Sequence, residues 1–155
     1  MASVRMQIFN AIEAKLDNVQ LQLDWAKRVT NPRDQLGEDE MNAIVFLHGG
    51  ELPPGPLTGN AENRIAEFTV GLLAVENGTM TVEEMLDAGI VAVSNALLDP
   101  EDRQLGGLAI GVMQGSVTAP EYGRSANSHL IGAEQFVDFT VEYLGREGDA
   151  ETPGP

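Results

Sequence analysis

The chain has 155 residues, enough for one domain with a core of its own, and its apolar share of 43% is that of a globular protein. Its formal charge of -15 and pI near 4.2 exclude a basic footprint for nucleic acid and disfavour docking on anionic lipid. With no cysteine, disulfides, thiolate zinc sites and thiol nucleophiles are excluded as well.

Ser3 is placed to cap a helix whose apolar positions are Val4, Ile8, Ile12, Leu16, Val19 and Leu23, recurring in steps of three and four along one face. Trp25 to Val29 reads as a short edge strand ending at Asn31-Pro32, since proline cannot donate to a ladder. Pro32 to Glu40 is polar and acidic, a loop. Asn42 to His48 reads as a buried strand, with Ala43, Val45 and Leu47 on one face and Ile44 and Phe46 on the other. Gly49 to Gly59 holds three prolines and four glycines and reads as an excursion on the surface. Arg64 to Val75 returns as a long strand, with Phe68, Val70 and Leu72 facing one way and Ile65, Leu73 and Val75 the other. Asn77-Gly78 marks the turn at its end. The sequon Asn77-Gly78-Thr79 reads as part of that turn, since a secretory leader is not expected from the N-terminal pattern.

Thr81-Val82-Glu83-Glu84 is a capping box, and behind it Val82, Met85, Leu86, Ile90, Val93 and Leu97 form a second amphipathic helix that stops before Pro100. Leu98 to Gly107 closes that helix and turns the chain. Leu108 to Val117 then reads as a mostly apolar strand, Thr118 to Gly132 as a polar crossing, and Gln135 to Tyr143 as an alternating strand. Val137, Phe139, Val141 and Tyr143 bury while Asp138, Thr140 and Glu142 face out. Gly145 to Pro155 is an acidic tail expected to be flexible. The order predicts an α+β fold, an α/β sandwich with a mixed, mainly antiparallel sheet and both helices packed on one face. No apolar run nears the roughly 20 residues that cross a bilayer, so a soluble chain is expected.

The chemistry-bearing patterns are incomplete. Gly106-Gly107-Leu108-Ala109-Ile110-Gly111 follows a helix and precedes a strand, whereas a dinucleotide loop needs a strand first and a helix N-terminus after it. Gly123-Arg124-Ser125-Ala126-Asn127 begins like a nucleophile elbow but has Asn127 where the second glycine belongs. The two histidines, His48 and His129, stand at no ligand spacing with a carboxylate. An enzyme, a cofactor and a metal site are therefore not expected.

The arrangement has a likeness in one family. A leading amphipathic helix and Lys27-Arg28-Val29 precede Ala43-Ile44-Val45-Phe46-Leu47-His48-Gly49-Gly50-Glu51. Asn95-Ala96-Leu97-Leu98-Asp99-Pro100, Leu105-Gly106-Gly107-Leu108-Ala109, Glu121-Tyr122-Gly123 and Phe139-Thr140-Val141-Glu142-Tyr143 follow in that order. Over nearly the whole chain this resembles the tail terminator proteins of long-tailed bacteriophages, the minor-tail-protein-U-like family. The acidic tail and Pro53-Pro54-Gly55-Pro56 are departures from it. The resemblance implies one domain over 1–144, followed by the tail over 145–155. It implies a structural protein of the virion, assembled in the host cytoplasm and sited at the tail–neck junction. There a hexameric ring would cap the tail tube, stop its polymerisation and meet the head–tail connector or neck protein. Its partners would be further copies of itself, the tail tube protein, the connector, and DNA that passes without specific binding.

Within that frame the mixed charges of the surface segments, Glu51, Arg64, Arg103, Glu121 and Arg124, are the expected subunit-interface residues. The acidic excess suits a channel that phosphate must pass without sticking, with Asp138 and Glu142 as the expected lining residues. The alternative reading is a small acidic α+β binding module for a cationic partner or small ligand. A third is a metal-dependent hydrolase built on His48, His129 and nearby carboxylates.

Overall fold

The structure, a computed structural model, describes residues 3–23, 25, 27–29, 42–56, 61–76, 79–124, 131–146 and 149–153. Helix α1 spans Val4–Gln22, and the Ser3 hydroxyl accepts the Met6 amide at 3.2 Å, satisfying one of the donors a helix start leaves over. Its buried stripe is Val4, Ile8, Phe9, Ile12, Leu16 and Val19, each burial contributing about 1.5–3 kcal/mol relative to an exposed side chain. Helix α2 spans Val82–Leu97 behind a complete capping box: Thr81 Oγ1 accepts the Glu84 amide at 3.2 Å, and Glu84 Oε1 accepts the Thr81 amide at 3.4 Å. Ile90, predicted for the buried stripe, is only half-buried. Gly89 takes the buried place, because Leu72 and Trp25 lie where a larger side chain would go. Lys15 ties the helices together, bonding the Ala96 carbonyl at 3.2 Å and pairing with Asp102 at 3.1 Å. That ammonium and the Gly106 amide hold the Asp102 carboxyl below the usual carboxylate range.

The strands are β1 (Lys27–Val29), β2 (Ala43–Pro56), β3 (Ala61–Val75), β4 (Gly111–Val117), β5 (Glu121–Arg124), β6 (Ile131–Arg146) and β7 (Asp149–Pro153). They form one seven-stranded sheet in the order β1-β2-β3-β6-β4, with β5 and β7 also paired to β6. Among the described pairings only β1–β2 is parallel, so the sheet is mixed and mainly antiparallel. Both helices pack on one face of it, and the fold is α+β. Between the layers sit four of the five phenylalanines. The Phe68 ring stacks on Phe139 at 5.3 Å and 10°, with Phe46 at 5.4 Å and Phe9 at 6.0 Å.

Four expectations need correction. Gly49 to Pro56 is not a surface excursion, because β2 runs through it, taking up one extra residue between His48 and Glu51 and another between Leu52 and Gly55. Leu108 to Ile110 stays outside the strand, since Leu105, Gly106 and Gly107 all have positive φ and the turn they make closes on Ala109, whose amide bonds the Gln104 carbonyl. The polar crossing is interrupted by β5, which folds back along β6. Finally, β6 runs on to Arg146 and Asp149–Pro153 lies beside it as β7, where a tail without partners was expected from Gly145. The Pro32–Glu40 loop, the Asn77-Gly78 turn and Ser125 to Leu130, with His129, lie outside the described residues. No described helix is long and apolar enough to cross a membrane.

Candidate subunit interface and channel face

The alternation of β6 sends Val137, Phe139, Val141 and Tyr143 into the helix layer and leaves Glu134, Phe136, Asp138, Thr140 and Glu142 on the opposite face. Register carries the same division across the neighbours. Thr69 pairs with Asp138, Glu67 with Thr140 and Ile65 with Glu142 on β3, while Met113 of β4 pairs with Thr140. Among the described side chains that β3, β4 and β6 place on this open face, the charged ones are Glu67, Glu134, Asp138 and Glu142, all carboxylates. Asp138 is exposed and accepts the Thr69 hydroxyl at 2.8 Å; Glu142 is half-buried. The two predicted channel residues thus share one face.

Glu134 meets Glu121 of β5, its register partner, and burial together with that neighbouring carboxylate raises its carboxyl above the ordinary range.

The predicted interface residues do not form one patch. Glu51 and Arg64 meet on the helix side, at the far end of the sheet, around the buried Tyr143. The Tyr143 hydroxyl donates to Glu51 Oε1, and Arg64 is the register partner of Tyr143. Both are therefore engaged within their own chain. Arg103 is in the turn after α2 and donates Nε–H to the Val112 carbonyl at 2.9 Å, fastening that turn to β4. Glu121 and Arg124 lie on β5, with Arg124 described by its backbone alone.

Burial first, and then the Glu51 carboxylate, push the Tyr143 hydroxyl up to about 12 from its usual 10.0, while Arg64 pulls the other way. Below pH 10 the hydroxyl is protonated in both folded and unfolded chains. Between 10 and 12 only the unfolded chain loses the proton, so stability falls as pH rises through this window. The fall is on the order of 1–2 kcal/mol, below the full linkage value because the Glu51 end of the contact reaches solvent. Urea unfolding of the wild type and of Tyr143→Phe at two pH values, one on each side of the window, checks this. The variant should lack the difference.

The signal that sequence reading missed lies on the other border of the sheet. Gln104 to Pro120 contains no Asp, Glu, Lys or Arg, and it is the longest such run in the chain. All of β4 falls inside it. Of the eight large hydrophobics exposed among the described residues, five follow this border: Ile110, Met113, Val117, Tyr122 and Ile131. At 58% exposure Met113 is the most open of the five. The border is pinned from within: Thr118 donates its amide to the Phe136 carbonyl and its hydroxyl accepts the Phe136 amide at 3.0 Å, the Ser94 hydroxyl of α2 donates to Gln114 Oε1 at 2.7 Å, and Arg103 holds the Val112 carbonyl.

His48, read from the sequence as a polar strand end, lies within β2 with its ring 4.8 Å from that of Phe9. Among the described residues no three His, Asp or Glu side chains gather as a metal site requires. No protein-family model matches the chain, and no curated protein matches it.

Proposed function

We propose that this chain is a tail terminator of a long-tailed bacteriophage, a structural subunit that closes into a hexameric ring on the end of the tail tube. The ring stops further tube growth, presents a surface to the connector or neck protein, and leaves a hole for DNA. The observation that carries this reading is the contrast between a sheet face on which the charged side chains described for β3, β4 and β6 are carboxylates and a border strand, β4, that has no ionisable side chain of its own. A subunit of an open-centred ring needs both. Phosphate is repelled where DNA passes, and copies with a charge of -15 approach each other only where charge is absent. Closed rings form through heterologous contacts, in which two different surfaces of the same chain meet. Nothing in this role requires catalysis.

The test is electron microscopy of the purified chain mixed with its tube subunit. Caps on one end of each tube, and tubes that no longer lengthen, are expected. Bare tubes that keep growing would remove the proposal.

A further inference from the structure

Within the ring reading, on which this inference rests, the structure assigns the two surfaces that meet: β4 of one copy pairs with the outer side of β2 in the next. An unpaired strand side presents a row of N–H and C=O groups to any strand that can approach, and proteins that avoid such pairing place charge or proline there. β4 has neither. Its seven residues carry no ionisable side chain and no proline, and its outer side faces no described strand. Met113 and Val117 flank it with exposed apolar surface.

The receiving side follows from where β1 stops. β1 covers β2 only from Ala43 to Val45, leaving the outer side of β2 without a described partner from Phe46 onward. His48, Gly49, Gly50, Glu51 and Leu52 are all exposed. Between Glu40 and Glu51 the sequence has no Asp, Glu, Lys or Arg, so this border is nearly as free of charge as β4. Pro53, Pro54 and Pro56 then end the row of donors and fix how far the pairing reaches. A second copy is the occupant because the remaining surface repels acidic partners, while a cationic partner would seek the carboxylates of the open face. The two borders, β4 with no ionisable residue of its own and β2 with Glu51 as its one carboxylate, lie on opposite sides of one sheet, which is the arrangement a head-to-tail contact needs.

Sedimentation of the purified chain over a range of concentrations tests the pairing. Wild type should associate. Met113→Glu combined with Val117→Glu on the β4 side, or Gly50→Glu on the β2 side, should each raise the concentration of half-association by about tenfold or more. Gly50 has open space for a side chain, and Ser116→Asp, also exposed, replaces the β4 pair should that variant melt early. Val91→Glu adds the same charge on the exposed side of α2 and should leave association unchanged. Mixing the two impaired variants leaves one intact pairing, the β4 of the Gly50 variant against the β2 of the other, so the mixture should form dimers and stop there. Variants that associate like wild type, or a mixture that stays monomeric, would overturn the pairing while leaving the ring reading in place. A wild type that is monomeric at every concentration would overturn both.

Discussion

Replacing Phe68 by alanine is expected to lower the unfolding free energy by about 3–5 kcal/mol, the range for removing a buried aromatic ring from a packed core. Phe68 is 1% exposed and touches the rings of Phe9, Phe46 and Phe139, so it joins α1, β2 and β6 through β3. The surrounding rings cannot close the gap. Phe139 is held by strands on both sides of β6, and Phe9 is fixed in the middle of the α1 stripe. A domain of this size holds about 5–15 kcal/mol in total, so the variant should unfold at much lower urea concentration with the slope of the transition unchanged. Phe136→Ala serves as the comparison. That ring is half-buried on the open face, and its loss should cost clearly less.

The helices were legible because their periodicity and caps are local. Val4 to Val19 on α1 and Thr81 to Leu97 on α2 appear in the structure with the buried faces that the spacing predicts, except that Phe9 joins the α1 face and Gly89 replaces Ile90 on α2. The inner strands were legible for the same reason, since Phe68, Val70 and Leu72, or Val137, Phe139 and Val141, alternate strictly. Pairing that depends on distant residues was not legible. Nothing local to Glu121 to Arg124 says that it will lie along Ile131 to Glu134, and nothing local to Asp149 to Pro153 says that it will meet Gly145 and Arg146. Of the candidate site, the open-face positions of Asp138 and Glu142 follow from alternation. The charged interface set rests on charge alone, and two of its members, Glu51 and Arg64, turn inward to Tyr143. The informative signal was the reverse: in a chain this acidic, the longest stretch without charge marks a border of the sheet.

Gly49→Ala is the second large effect, and it tests the part of β2 that composition concealed. A Cβ on Gly49 would lie 2.5 Å from the Glu67 carbonyl oxygen and 2.8 Å from the Glu67 carbonyl carbon. Those atoms are backbone of β3, which is held by β2 on one side and β6 on the other, so β3 cannot yield and the bulge must. The expected cost is about 2–3 kcal/mol in urea unfolding. At Gly50 a Cβ meets nothing within 4 Å, so Gly50→Ala should stay within about 0.5 kcal/mol of wild type. A surface excursion would tolerate both changes alike, whereas a strand pressed against Glu67 separates them. The same displacement would carry Glu51 away from the Tyr143 hydroxyl, since Glu51 enters register with Ala66 only because the bulge at Gly49 and Gly50 absorbs one residue. Gly49→Ala should therefore also shrink the loss of stability between pH 10 and 12 that Tyr143 produces, and Gly50→Ala should leave it intact.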